Sequence, residues 1–316
     1  MNAGKIVKKR SVNSRFKKWG YFFFLPFGLL YSVFFLFPTC YSFVLSMFRY
    51  KVGSKSTFIG LKNYIYLFTD DPYFLMSLRN TLVITAFVLP LCICGGCILA
   101  ELIFSSKFSN RFKSVLQTAN FLPYLTAPVA VAILFSLLFD QKVGVMNIVL
   151  VKLGLLKESI NWMMADNWMQ WMLVVIMISW EWIGYYMLLF LAGMSGISSD
   201  IYEAAKVDGA SRWQIFFRIT IPMLENVTTF LVITGFISCL QLYDQPMLLA
   251  KGTNAVAMKT LDQPLMTVMT NFYSKSIAEG DYGYGASIMF SLFVIIAIIV
   301  AIGLGIMKKV GGMDED

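Results

Sequence analysis

Long apolar stretches alternate with short polar ones along most of this chain. Six stretches are mainly apolar over 18 residues or more, at roughly 21–46, 78–102, 115–139, 168–192, 223–247 and 283–307. A helix needs about 20 residues to cross ~30 Å of hydrocarbon. The pattern therefore predicts an all-α, polytopic membrane protein whose six transmembrane helices occupy residues 21–307.

Composition supports one membrane domain and argues against catalysis. The chain has 316 residues, of which 58% are hydrophobic, and this leaves no room for a separate catalytic domain. It contains no histidine and no Gly-x-x-x-x-Gly-Lys-Ser/Thr phosphate loop. We therefore expect no enzyme activity in this chain, no cofactor and no metal site.

Basic residues predict the orientation in the membrane. Seven lysines and arginines lie in the tail formed by residues 1–20, and such a cluster holds a terminus in the cytoplasm. With six spans, the loops at 103–114 and 193–222 and the tail at 308–316 are then also cytoplasmic. We interpret the net charge of +8 as topology and headgroup attraction, with no nucleic-acid binding. No small-residue cleavage site follows the basic cluster, so we expect the first span to be retained.

All five cysteines fall in the apolar stretches: Cys40, Cys92, Cys94, Cys97 and Cys239. Cys94 and Cys97 form a Cys-x-x-Cys, but no histidine accompanies them. We predict thiols that pack in the core, not a redox or metal site.

The polar segment between the fourth and fifth stretches predicts two short helices. Asp200 can cap a first helix over residues 201–207, and Gly209 can supply the positive φ that ends it. Ser211 lies three residues before Gln214, the spacing of a capping box that starts a second helix.

A proline marks the predicted end of the second helix. Pro222 has no backbone donor, and the residue before a proline is pushed away from helical angles. We therefore expect Ile221 to leave the helix and a new segment to begin at Pro222.

The same segment carries a family resemblance. The order Glu203-Ala204-Ala205, three residues, Gly209, nine residues and Ile219-Thr-Ile221-Pro222 resembles the EAA loop of binding-protein-dependent ABC importer permeases. The neighbouring Val207-Asp208-Gly209-Ala210 resembles the carbohydrate-uptake, maltose-type branch. The resemblance implies the ABC type I importer permease fold. It also implies a coupling loop at 193–222 that docks on a cytoplasmic ATPase, with these coupling residues: Glu203, Ala204, Ala205, Asp208, Gly209 and Pro222. The alternative is a plain capped hairpin with Glu203 at the third helical position.

Three other stretches also bear on this resemblance or on the shape of the chain. The run 58–68 predicts a short interfacial helix, and its Phe-x-Gly-Leu-x-Asn-Tyr pattern resembles the stretch after the first span of sugar permeases. Gly144-x-x-Asn147, followed later by Trp162, resembles the family as well. Prolines at 123 and 128 predict a break or bend in the third stretch.

One carboxylate lies inside the fourth apolar stretch. A carboxylate in hydrocarbon costs at least ~2.5 kcal/mol, so we expect Glu181 to face a partner or a water-filled cavity. On a helix it shares a face with Tyr185, and Gly184 alongside leaves room for a ligand.

The fifth stretch carries hydrogen-bonding side chains on one helical face. Thr234, Ser238 and Gln241 follow at intervals of four and three, and the stripe ends near Asp244. Maltose-type permeases carry sugar contacts in these two spans, and Gly184 matches a contact position there. The expected substrate path is Glu181, Gly184, Tyr185, Gly235, Ser238, Gln241 and Asp244. The alternative is interhelical hydrogen bonding that packs two permeases together.

The resemblance implies the membrane subunit of an ATP-driven sugar importer in the bacterial cytoplasmic membrane, for a di- or oligosaccharide. Its implied partners are a second homologous permease forming a heterodimer, two ABC ATPase subunits, an extracytoplasmic sugar-binding protein and membrane lipids. The alternatives are a glycerol-phosphate permease, an ion-driven secondary transporter and a non-transporting scaffold. Secondary transport is disfavoured because no inverted repeat is detectable and carboxylates within the spans are scarce.

Overall fold

The computed structural model describes residues 14–251 and 263–310. The helices are α1 (Ser14–Tyr31), α2 (Phe37–Ser46), α3 (Lys62–Thr69), α4 (Pro72–Phe104), α5 (Asn110–Phe121), α6 (Pro128–Leu138), α7 (Val145–Lys152), α8 (Asn167–Ser195), α9 (Ser199–Val207), α10 (Arg212–Ile215), α11 (Ile221–Met223), α12 (Glu225–Leu240), α13 (Asp244–Lys251), α14 (Val268–Tyr273) and α15 (Tyr282–Val310). The fold-class prediction is confirmed. Most of the predicted tail at 1–20 and of the tail at 308–316 lies outside the described residues.

The first span is one helix with a wide turn inside it. A π-helical turn, Ser32–Leu36, joins α1 to α2, and the amide of Phe37 bonds the carbonyl of Ser32. Pro38 follows at once. A proline cannot donate a backbone hydrogen bond and its ring crowds the carbonyl four residues earlier. The wider turn takes up this crowding, so the helix continues to Ser46.

A two-stranded sheet follows the first span. Strand β1 (Phe48–Arg49) pairs antiparallel with β2 (Thr57–Phe58). The helix expected over 58–68 therefore begins only at Lys62, because Phe58 belongs to a strand and Gly60 turns the chain at φ +60°.

The third apolar stretch is not a straight span. A 3-10 turn containing Pro123 extends α5 to Leu125, and this segment meets α6, which begins at Pro128, at 94°. The predicted break or bend in this stretch is confirmed. Among the described residues five helices can cross a membrane, or six when the bent pair counts as one span.

Helix α8 forms the centre of the bundle through glycine contacts. A side chain at Gly96 on α4 would meet the backbone of Met187 at 3.0 Å. A side chain at Gly184 on α8 would overlap the backbone carbonyl of Asn120 at the end of α5. Small residues allow such close approach between membrane helices, and so α8 contacts α4 and α5 backbone to backbone.

One asparagine organises the loop before α8. Asn147 donates to the carbonyls of Asp140 (3.0 Å) and Ile160 (2.9 Å), and its oxygen accepts from the indole of Trp162 (3.0 Å). The amide is only 1% exposed. The Gly-x-x-Asn and tryptophan pattern therefore has a structural basis, since the side chain joins both ends of this loop.

Candidate functional site

The first helix of the EAA hairpin, residues 198–224, begins earlier than predicted. Ser198 is the N-cap, and its hydroxyl accepts from the amide of Asp200 at 3.3 Å. The assignment of Asp200 as the cap was wrong, because Asp200 already lies inside α9. Glu203 consequently occupies the fifth helical position instead of the third, and the capping explanation for this carboxylate does not fit the structure.

Glycine ends this helix as expected. Gly209 has φ +77°, and its amide donates to the carbonyl of Lys206 at 3.1 Å. The amide of Ala210 donates to Ala205 at 2.9 Å, so the last carbonyls of α9 are satisfied. No atom lies within 4 Å of a side chain built at Gly209. The requirement for glycine therefore comes from the backbone angle and not from crowding.

The second helix starts as predicted but continues further. Ser211 and Gln214 form a reciprocal capping box. Ile221 keeps helical angles (φ −59°, ψ −49°), and α11 runs through Pro222 to Met223. The break expected at Pro222 was wrong. A π-helical turn, Phe216–Thr220, precedes the proline and relieves its clash, as in the first span.

The hairpin presents a mixed outer face. Glu203, Ala204 and Asp208 are exposed, whereas Ala205 is buried at 8%. Two large apolar residues nearby are strongly exposed, Val207 at 87% and Trp213 at 71%. Exposed apolar side chains beside charged ones are typical of a protein contact surface.

Behind the hairpin lies an apolar groove of about 600 Å³. Helix α4 contributes one wall, including Cys94 and Glu101, and the hairpin contributes the other, including Arg212 and Phe217. Glu101 is half-buried in this groove. Cys94 and Cys40 are exposed, which corrects the prediction of core-packing thiols at these two positions.

The fifth span is broken at residues 241–243, the span-five break. Helix α12 ends at Leu240, and Asp244 begins α13. The predicted helical stripe therefore does not continue to Asp244, although Ser238, Gln241 and Asp244 are all exposed at the break. The hydroxyl of Thr234, also expected on this stripe, bonds the carbonyl of Phe230 in its own helix at 2.7 Å.

Two buried hydrogen bonds fix the position of the span-five break. The amide of Gln245 donates to the carboxylate of Glu181 on α8 at 3.0 Å, and both residues are nearly inaccessible, at 4% and 3%. The hydroxyl of Thr267 donates to the carbonyl of Leu242 at 2.7 Å. A break inside an apolar helix leaves backbone groups without helical partners, and the hydroxyl of Thr267 satisfies one of them, the carbonyl of Leu242. The bond between Gln245 and Glu181 joins the start of α13 to α8.

The segment after the undescribed residues lies inside the bundle. Asn80 on α4 donates to the carbonyls of Gln263 (2.9 Å) and Met266 (3.1 Å), and the indole of Trp171 on α8 donates to Pro264 (2.9 Å). The amide of Val268 donates to the hydroxyl of Thr81 at 3.1 Å. The part of the chain described from residue 263 onward therefore packs between α4 and α8.

Three residues expected on the substrate path have packing contacts instead. Gly184 abuts the backbone of Asn120, so it leaves no room for a ligand. A side chain at Gly235 would overlap the hydroxyl of Tyr186. Tyr185 is half-buried and stacks on Tyr124 with ring centroids 4.7 Å apart. The two glycines therefore set helix spacing in this structure, and the ring of Tyr185 packs on that of Tyr124.

Sequence reasoning missed Gln245 and Thr267. Thr267 lies outside the six apolar stretches. Gln245 is a polar residue in the fifth apolar stretch, and such residues hydrogen-bond between membrane helices. That signal was available for Gln245. It could not identify Glu181 as the partner, because the two residues are 64 positions apart.

The architecture defines a multi-pass membrane protein of the transport-permease class. Residues 92–309 match the family described as "Binding-protein-dependent transport system inner membrane component", and the chain belongs to this family. It is an ABC transporter permease family, so the resemblance drawn from the EAA loop is confirmed.

Individual relatives are similar in sequence to this chain over nearly its whole length. The chain is 34% identical to the lactose transport system permease protein LacF of Rhizobium radiobacter, over 89% of this chain and 91% of that protein. It is 32% identical to the arabinooligosaccharides transport system permease protein AraP of Bacillus subtilis (strain 168), over 90% and 87%. A solved bacterial ABC transporter involved in alginate import shares the fold, with a TM-score of 0.75 and 21% identity over 93% of this chain and 96% of that chain.

Proposed function

We propose that this chain is the permease subunit of an ATP-driven importer for a di- or oligosaccharide. Family membership and similarity to permeases named for lactose and arabinooligosaccharides support the substrate class. The observation that carries the proposal within this chain is the span-five break. Discontinuous helices with polar groups inside a membrane domain are typical of substrate sites in transporters.

The polar groups at the break suit a neutral or hydroxyl-rich ligand. Ser238 and Gln241 offer donors and acceptors, and Asp244 adds a carboxylate acceptor for sugar hydroxyls. Residues 238–245 contain no lysine or arginine. A glycerol-phosphate substrate would need a cation to pair with its charge, so the break favours a sugar over this alternative.

The partners in the proposal follow from the family and the hairpin. A second homologous permease completes the translocation path, and an extracytoplasmic binding protein delivers the sugar. Two cytoplasmic ATPases hydrolyse ATP, so this chain itself is no enzyme. The exposed side chains of Glu203, Val207 and Trp213 support docking of the EAA hairpin on one ATPase.

Uptake by the reconstituted complex tests this function. We expect proteoliposomes loaded with ATP to accumulate labelled lactose or arabinotriose when the binding protein is present, and to do so with a protonophore added. Alanine at Ser238 or Gln241 removes a hydrogen bond worth about 0.5–1.5 kcal/mol, so sugar transport should fall roughly threefold to tenfold. ATPase activity stimulated by the loaded binding protein is measured in parallel.

A matched control lies on the same helix. Thr234→Val also removes a hydroxyl, but that hydroxyl is already bonded to Phe230, so transport should stay near the original rate. Equal losses in all three variants would contradict the path assignment. Uptake abolished by the protonophore would favour an ion-driven carrier, and uptake of glycerol 3-phosphate alone would favour the organophosphate alternative.

The orientation of the chain in the membrane is a separate prediction, supported by the basic N-terminal cluster. The EAA hairpin should face the cytoplasm. With the five native cysteines replaced by alanine, Val207→Cys should resist an impermeant maleimide in spheroplasts and react in inverted vesicles stripped of peripheral proteins. Val143→Cys, which is also strongly exposed, at 69%, in the loop before α8, should show the opposite pattern. Labelling of Val207→Cys from outside would reverse the topology.

A further inference from the structure

The carboxylate of Glu181 cannot reach a sugar in this structure. It lies on α8 and is 3% exposed. The side chain that bonds it is Gln245, at 3.0 Å. The salt bridge found among the described residues joins Lys275 and Glu279, so no cation pairs with Glu181 there. A buried carboxylate with a neutral partner is costly to keep, which points to a role that apolar residues could not fill.

Gln245 connects this carboxylate to the polar break. It follows Asp244 directly and is the second residue of α13. Leu242, inside the break, is held separately through its carbonyl by Thr267. The three-residue break thus has two buried anchors, one on α8 and one in the segment from residue 263 onward. Removal of either anchor frees one side of the break. Helices α12 and α8 still pack against each other where Gly235 meets the hydroxyl of Tyr186.

We propose that Glu181 is a positioning residue that sets the saccharide selectivity of the importer by holding Gln245, and with it the exposed Gln241 and Asp244. The proposal rests on the proposed sugar-import function. It differs from a substrate contact because the effect passes through a hydrogen bond and needs an acceptor oxygen. It does not need a charge at Glu181.

This distinction predicts a specific order among variants. Glu181→Gln keeps an oxygen that can accept from Gln245 and should resemble the original chain. Glu181→Leu and Gln245→Leu each leave one buried polar group unpaired, and both should disturb the break. The double variant removes both polar groups, which restores much of the stability because no unpaired group remains. It should still lose selectivity because the anchor is gone.

The experiment measures selectivity and stability together. Complexes in proteoliposomes receive an equimolar mixture of lactose, arabinobiose and arabinotriose, and mass spectrometry gives the ratio of trisaccharide to disaccharide inside. We expect Glu181→Leu, Gln245→Leu and the double variant to shift this ratio about threefold to tenfold, the scale of one lost hydrogen bond. Glu181→Gln should leave the ratio unchanged. Thermal unfolding in detergent should rank the double variant above both single leucine variants.

The matched control removes a buried hydroxyl away from the break. Ser77 is 0% exposed and bonds only within α4, to Phe74. Ser77→Ala should leave the sugar ratio unchanged. The proposal is overturned if Glu181→Gln shifts the ratio as much as Glu181→Leu, since the charge would then matter. It is also overturned if Gln245→Leu leaves the ratio unchanged.

A second measurement separates this proposal from the function on which it rests. If the original complex imports none of the three sugars, the proposed function fails, and the positioning role is then tested by thiol chemistry. In the cysteine-free chain, Asp244→Cys should react with maleimide at a different rate after Glu181→Leu but at the same rate after Glu181→Gln. Equal rates in all three backgrounds would overturn the positioning role itself.

Discussion

Leucine in place of Gly184 should abolish the assembled permease. The first side-chain carbon would overlap the backbone carbonyl of Asn120, and backbone cannot move aside as a flexible side chain can. Overpacking usually costs ~1–3 kcal/mol, and contact with backbone places this site at the upper end or beyond. We expect at least about a tenfold loss of folded complex, since ~1.4 kcal/mol corresponds to tenfold. Fluorescence-detected size-exclusion chromatography of the tagged complex measures it.

Gly303→Leu provides the control for this prediction. Gly303 lies in α15, another long apolar helix, and no atom lies within 4 Å of a side chain built there. The leucine should therefore be tolerated. The prediction also separates packing from transport, because a ligand-lining Gly184 would lose sugar uptake while the complex still assembled. Normal assembly of Gly184→Leu would contradict the packing role.

Valine in place of Gly209 should uncouple ATP hydrolysis from transport without preventing insertion. The backbone there has φ +77°, a conformation that costs a β-branched residue on the order of 1–2 kcal/mol. The free space around the site means that the protein can relieve this strain by moving the turn, which tilts α9 against α10. We expect ATPase activity in the complex with transport reduced about tenfold or more, measured as sugar imported per ATP hydrolysed. Glu203→Lys should give the same phenotype by reversing an exposed charge.

A second glycine controls for strain alone. Gly154 has φ +72° and equally free space, but it lies in the loop before α8, far along the chain from the hairpin. Gly154→Val should strain the backbone to a similar degree and leave coupling intact. Gly209→Asn should recover coupling, because asparagine tolerates positive φ better than valine. If Gly209→Val imports sugar with normal coupling, the hairpin does not transmit ATP hydrolysis in the proposed way.

Glu203 illustrates how the structure removes one of two explanations for a residue. From sequence alone, the carboxylate could be a capping group or a docking group. Ser198 starts α9, so Glu203 is two residues too far along to cap it. The exposed side chain then remains available for a basic residue on another subunit, which is why its substitution by lysine is expected to act on coupling and not on folding.

The sequence by itself determined the class of protein and the local features of its helices. Stretches of 18 or more apolar residues have few physical solutions other than membrane helices. Gly209 and the Ser211–Gln214 pair were predicted correctly because turn angles and caps depend on residues within a few positions of each other. The EAA spacing identified the family for the same reason, since this hairpin is a local motif.

The tertiary structure alone decided which contacts the polar and small residues make. Gly184 and Gly235 were expected beside a ligand, but packing partners on α5 and α8 occupy the space next to them. Pro222 was expected to interrupt a helix, yet a π-helical turn before it lets the chain continue, as another does before Pro38. Glu181 was expected in the substrate path, but it is buried and accepts a hydrogen bond from Gln245. Such contacts join residues far apart in the chain, and helical periodicity carries no information about which faces meet.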